Sequence, residues 1–352
     1  MNIELDRELA YEALAPIFDG EYADELINGL LLPLLPSSLR PKEGEDVDKY
    51  LRAKAVKAAA HEDKLEVREA LFGNLIPHIE KLDPRMFLDN PYAKILASIP
   101  SIKEGDIAFL SLKVPAYLPF SYKEKEIDGQ GRDVTHLGYF EKEFHCPALQ
   151  KNGVTWMSLL PHEIMTMAKD IGKAKGKVLC YGLGLGYFPF MAASKDEVSE
   201  VTIVEKDPVI LSFFQNRVLP LLPCKDKIRL IEGDALKLDL PHFDFSFADL
   251  WHDPEDGLSL YCRLLKKQKA DVAAYWIEKD ILVYLRRYLS ALIEEAYEGY
   301  DESDYPLDSE GNDRIFALLY QVTKNVTISS MDELKSFLSL DSVKKIAETI
   351  DL

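Results

Sequence analysis

The sequence predicts an α/β fold: a doubly wound, mostly parallel sheet closed by an antiparallel hairpin, preceded by a helical N-terminal region and a β-rich segment. Three observations predict it. From Lys177 onward, short apolar runs alternate with helical stretches of roughly 10–15 residues, the rhythm of parallel β-α units. The first run empties into a glycine-rich turn, Gly182-Leu183-Gly184-Leu185-Gly186. The next three end at or just before an acidic residue, Glu205, Asp234 and Asp249, and in a parallel sheet such ends share one edge.

At 352 residues and 47% hydrophobic content the chain supports sizeable cores, in one large domain or two to three smaller ones. A net charge of −18 repels phosphate backbones and argues against a nucleic-acid partner. Lys173, Lys175 and Lys177 form too short a cluster to reverse that. Cys146, Cys180, Cys224 and Cys262 are widely spaced with no CxxC pair, which suits a reduced, cytoplasmic setting. The apolar run Leu30 to Leu35 is interrupted by Pro33 and falls far short of the ~20 residues of a membrane span.

Residues 1–88 read as helical, from the spacing in LAYEALAPIF and around Leu26 to Leu32 and from a second helix expected over Asp46 to Leu71. A cap or a surface for self-association is the expectation for this region. Residues 89–158 change period: IAFLSLKV, AYLPFSYKE, HLGYFEKEF and VTWMSL are β-branched and aromatic, with turn signals at Pro115, Asp128-Gly129-Gln130-Gly131 and Asn152-Gly153. His136, Tyr139, Phe140, His145 and Trp156 are either packing residues or pocket walls. Residues 159–174 form an amphipathic helix whose first turn carries Pro161, His162 and Glu163, as helix-start chemistry or facing the site.

Strands follow at 178–181, 201–204, 228–231, 243–248 and 271–276, with Asp207-Pro208 supplying an N-cap and first-turn proline between them. A long helix spans 279–297, and the acidic loop 300–313 lacks the residue order of a calcium site, so no metal is expected. Arg314 to Val322 and Val326 to Ser329 read as the closing hairpin; Ser330 with Glu333 reads as a capping box for terminal helices in 330–352.

The glycine turn and Glu205 together suit an adenosine-bearing ligand. Glycines let backbone and ligand approach closely, and a carboxylate closing the second strand can accept hydrogen bonds from both ribose hydroxyls. A nicotinamide dinucleotide would satisfy those residues equally. With Glu232-Gly233-Asp234-Ala235 after the third strand and Asp249 after the fourth, residues 159–329 resemble the class I, Rossmann-like S-adenosylmethionine-dependent methyltransferases. The resemblance implies S-adenosylmethionine as cofactor, with Gly182, Gly184 and Gly186 along its methionine and ribose, Glu205 on the ribose, Asp234 at the adenine amino group, and Asp249 beside the methionine part or the acceptor. It implies methyl transfer to a small molecule or protein side chain, for which Asp249, His252 and Asp253 are the candidate catalytic residues.

Where that family usually carries an acid, two places before the first glycine, this chain has Cys180, so Asp249 or Glu163 would have to meet the methionine ammonium. Asn90-Pro91-Tyr92 is similar to the Asn-Pro-Pro-Tyr signature of adenine amino-group methyltransferases but precedes the nucleotide fold, and reads as a helix-start turn. The β-rich segment, the His-Glu helix and the Asp249…Asp253-Pro254 stretch are also similar to spermidine synthase-type aminopropyltransferases. Those enzymes have Gly-Gly-Gly-Asp-Gly where this chain has Leu183 and Leu185 between its glycines. Aminopropyl transfer, or a non-catalytic protein that binds an adenosyl ligand, are therefore the alternatives.

Overall fold

The computed structural model describes residues 1–30, 39–59 and 76–352. Pro33, Pro36 and the part of the expected second helix from Ala60 to Leu71 lie outside these residues. Helix α1 (Arg7–Leu30) buries Ala10, Leu14 and Ile17, one face at helical spacing, and is followed by α2 (Val47–Ala59). The first 88 residues are not all helical. Ile79–Lys81 is a short strand paired in parallel with Leu137–Tyr139, so a piece of the N-terminal region is built into the β-rich segment. Its edge hydrogen bonds are met by residues nearly sixty positions away, which local periodicity does not reveal.

Helix α3 (Pro91–Ala97) starts as its sequence indicates, the Asn90 side chain accepting from Tyr92 N at 2.9 Å and Pro91 occupying the first turn. Strands β1 (Ile102–Glu104), β2 (Ile107–Val114), β3 (Phe144–Lys151) and β4 (Val154–Ser158) form a four-stranded antiparallel sheet in the order β4-β3-β2-β1. Asn152 and Gly153, at φ 53° and 79°, turn the β3–β4 hairpin as the sequence signals.

The second sheet organises the rest. Its strands are β5 (Gly176–Tyr181), β6 (Val198–Glu205), β7 (Ile228–Glu232), β8 (Phe243–Ala248) and β9 (Ala270–Tyr275). They run in the order β7-β6-β5-β8-β9, and all neighbours are parallel. Helix α4 (Pro161–Lys173) precedes β5, and α5 (Tyr187–Ala193), α6 (Pro208–Phe213), α7 (Pro254–Leu265) and α8 (Glu278–Tyr297) follow β5, β6, β8 and β9. Val178, Val201, Ile203 and Phe245 are at most 1% exposed, as expected of central parallel strands covered on both faces. The pairing of Tyr181 with both Val204 and Ala248 aligns the strand ends, so everything just after them shares one edge.

Residues 314–329 do not form the closing antiparallel hairpin. Arg314 to Val322 lie inside helix α9 (Gly311–Thr323), and Thr327–Ile328 pairs in parallel with Asn2–Ile3, apart from the main sheet. RIFALLYQV combines strand-like Ile, Phe and Val with the helix formers Ala, Leu and Gln, and burial of Ala317, Leu319 and Thr323 decides for helix. Helices α10 (Met331–Phe337) and α11 (Leu340–Thr349) complete the chain. Ser330 accepts from Glu333 N as expected, while the Glu333 carboxylate returns to Ser329 N rather than to Ser330.

Candidate active site

The end of β5 is held against the end of β8 by Asp249 N donating to Tyr181 O at 2.8 Å. At this contact Gly182 has φ +90°, and a Cβ would lie 2.0 Å from the Asp249 carbonyl oxygen, so only glycine fits. Gly184 faces a cavity of about 650 Å³, within the usual range of small-molecule sites. A Cβ there would meet Met157 Cε at 2.8 Å and stand 3.6 Å from Asp249 Oδ2. Gly186 turns away from the cavity, against the Phe214 ring and the Tyr92 hydroxyl. That hydroxyl donates to Leu185 O, so the Asn90-Pro91-Tyr92 turn supports the glycine loop from below.

Glu205 lines the same cavity. Its Oε2 accepts from Leu183 N at 3.1 Å and its Oε1 from Asp207 N at 2.7 Å, tying the glycine loop to the end of β6. Asp207 caps α6 through Val209 N at 2.9 Å and pairs with Lys151, which reaches across from β3. Trp156, Trp251 and Trp276 supply apolar wall, with Trp251 Nε1 donating to Trp276 O and Trp276 Nε1 to Thr166 Oγ1.

Besides Glu205 and Asp207, two further carboxyls face this cavity, Glu163 from the first turn of α4 and Asp249 from the end of β8. Burial raises both above the ordinary carboxylate range, and the negative charge of Asp249 raises Glu163 further. No lysine or arginine lies within ion-pair distance of either among the described residues. Cys180 sits beneath them in β5, 1% exposed, its thiol pushed up by burial and therefore neutral.

The structure thus brings Gly182, Gly184, Glu205, Asp249 and His252 to one cavity. It does not bring Asp234 or Asp253. Asp234 accepts from Leu236 N at 3.0 Å and lies 3.6 Å from Lys237 Nζ, shaping the turn after β7. Asp253 is the N-cap of α7, accepting from Glu255 N at 2.8 Å and Asp256 N at 3.0 Å, with Asp256 completing a capping box. Asp253 lines instead the neighbouring cavity that His252 also borders. His252 Nδ1 meets Asp256 Oδ2 at 3.0 Å, and its ring packs edge-on to Trp156. Among the β-segment aromatics, Trp156 lines the cavity, whereas Tyr139 and Phe140 are core and His145 is exposed beside Glu143. Lys151, Met157 and Trp276 gave no sequence signal; their partners lie far away in the chain.

No family model matches the chain, and no curated protein matches it. Among solved structures, it is similar to a conserved hypothetical protein of Streptococcus pyogenes over 32% of this chain and 76% of that one, at 20% identity and a TM-score of 0.26. A dimethyladenosine transferase from Plasmodium falciparum matches over 35% of this chain and 44% of its own, at 18% identity and a TM-score of 0.23. Spermidine synthase from Thermotoga maritima matches over 47% of this chain and 68% of its own, at 12% identity and a TM-score of 0.29.

Proposed function

We propose that the chain is an S-adenosylmethionine-dependent methyltransferase acting on a small molecule or a protein side chain. The observation that carries this reading is the meeting of Gly184, Glu205 and the Glu163–Asp249 carboxyls on one cavity beyond the strand ends. The residues present fit the cofactor. Gly184 leaves open the space that a Cβ would fill. A carboxylate has about four acceptor positions, so Glu205 retains lone pairs for two ribose hydroxyls after serving Leu183 and Asp207. An ammonium group would supply the counter-charge that Glu163 and Asp249 lack, so this pair takes the role left open by Cys180.

When bound, S-adenosylmethionine supplies a methyl group already made electrophilic by its sulfonium. The chain then has to align the acceptor and exclude water, which the tryptophan walls serve. With Nδ1–H directed at Asp256, the other ring nitrogen of His252 is the acceptor tautomer, placed to take a proton from the incoming group. Asp249 and His252 are thus the catalytic candidates.

One observation favours aminopropyl transfer as a second reading. The methionine end of the site is acidic, and the two lysines bordering the cavity lie beside acids, Lys151 paired with Asp207 and Lys206 4.0 Å from Asp234. A decarboxylated cofactor, which keeps the ammonium and lacks the carboxylate, suits such a pocket; tighter binding of that form would decide for it. The test of the cofactor assignment is calorimetry with S-adenosylhomocysteine. Glu205→Ala is expected to weaken binding by about 1.5–3 kcal/mol through loss of charge-assisted ribose bonds. Unchanged affinity would overturn it, and sustained product formation with any acceptor separates an enzyme from a mere adenosyl-ligand binder.

A further inference from the structure

A second cavity, of about 930 Å³, opens between α1, the end of β2 and the starts of α7 and α8. It adjoins the first. His252 borders both, and Trp276 of the first cavity meets His162 of the second edge-on, ring centroids 5.9 Å apart. Consecutive residues of α4 therefore serve different chambers, Glu163 the first and His162 the second.

The second cavity has an apolar side, formed by Leu112, Leu118, Phe120 and Val283, and a charged side whose balance is uneven. Each cation bordering it already has a partner: Lys113 pairs with Glu143, Lys125 with Asp24 at 2.5 Å, and Arg287 with Asp24 at 2.6 Å and with Asp133. Glu21, Glu25, Asp253, Glu255 and Asp280 also border it, and among the described residues none of these has a cation within ion-pair distance. Asp280 is the telling one. It is 8% exposed, its Oδ1 accepts from Lys125 N at 2.7 Å, and its Oδ2 has no hydrogen-bond partner. A mostly buried carboxylate with one free oxygen at a cavity wall favours a cation in that cavity.

We infer that this cavity is the acceptor chamber and that it takes a molecule with an apolar body and a protonated amine, the amine lodged against Asp280 with Glu21 and Glu255 at the rim. The inference rests on the transferase reading for the word acceptor. The anchored nitrogen is a handle; the atom that receives the transferred group is another, at the His252 end, where the chambers adjoin. An anionic acceptor would be repelled by this acidic border, and a neutral one would leave Asp280 without an ion-pair partner.

The experiment titrates octylamine, octan-1-ol and octanoate into the full chain, with and without saturating S-adenosylhomocysteine, by calorimetry. Octylamine is expected to bind at least tenfold more tightly than octan-1-ol, with octanoate weakest, and Asp280→Asn is expected to remove most of that preference while leaving S-adenosylhomocysteine affinity unchanged. Equal binding of octylamine and octan-1-ol, or an Asp280→Asn protein that keeps the preference, overturns the inference. If Asp280→Asn does not fold, the rim variant Glu21→Gln/Glu255→Gln provides the same comparison, with a smaller, roughly threefold, loss expected and no loss overturning the inference. Failure of S-adenosylhomocysteine to bind would sink the transferase reading, whereas the amine series without it reports on the chamber alone.

Discussion

The carbonyl oxygen of Asp249 stands 2.0 Å from the position a Cβ on Gly182 would occupy. The contact that forbids a side chain at Gly182 is also what brings the Asp249 carboxyl to the glycine turn. Gly182→Ala must therefore strain the backbone at φ +90° and part β5 from β8 as well. A loss of about 2–4 kcal/mol in denaturant unfolding is expected. Gly153→Ala, at φ +79° with nothing within 4 Å of its Cβ, isolates the conformational part and is expected to cost about 1 kcal/mol. Equal losses at both positions would refute the steric account.

Glu163 should weaken the ligand-free fold at neutral pH. Its folded-state pKa lies well above the ordinary carboxylate value because of burial first and the Asp249 charge second. Between those two values the folded chain binds more protons than the unfolded one, so stability falls as pH rises through the interval. Glu163→Gln removes this penalty. The variant is expected to melt several degrees above wild type at pH 8, with the difference shrinking toward pH 5, and to bind S-adenosylhomocysteine more weakly. A variant that melts lower at pH 8 would contradict the prediction.

Asp253 is expected to matter for stability and not for turnover. Asp253→Ala should lose about 1 kcal/mol through the α7 cap, and Asp253→Ser should restore most of it. In an assay of any identified transfer reaction, Asp253→Ser is expected to stay within about threefold of wild type. A hundredfold fall with stability intact would return Asp253 to the catalytic set.

Acid should dissolve the ionic link between α1 and α8. Burial raises the Asp24 pKa, but Lys125 and Arg287 outweigh it, and the net value lies below the ordinary one. Its stabilising contribution is therefore complete above the unfolded value near ~3.9 and is lost as pH falls through the lower folded value. Asp24→Asn is expected to cost about 2–4 kcal/mol at pH 7, and the deficit should narrow below about pH 4. A pH-independent deficit would show that packing, not charge, holds this corner.

Much of the parallel core was legible because its signals are local. Buried strands such as Val178 to Tyr181 read as continuous apolar runs, and the turn Gly182 to Gly186 stands where a strand must become a helix. Asp253-Pro254 was as legible as Asp207-Pro208, since both are an N-cap followed by a first-turn proline. Both start helices in the structure, α7 and α6. Arg314 to Val322 failed for a different reason: its residue types serve strand and helix alike, and the partner surface decided.

By itself the sequence determined a chain with a parallel α/β unit, a glycine turn after its first strand and Glu205 at the end of its second. Only the tertiary structure decided that Glu163 joins Asp249, that Lys151 reaches Asp207, and that His162 and Glu163 part into two chambers. Those relations depend on segments far apart in the chain packing together, as when Trp276 donates to Thr166 at 2.9 Å across 110 positions. Periodicity reports which face of an element is buried, and it carries no information about which distant side chain will be buried against it.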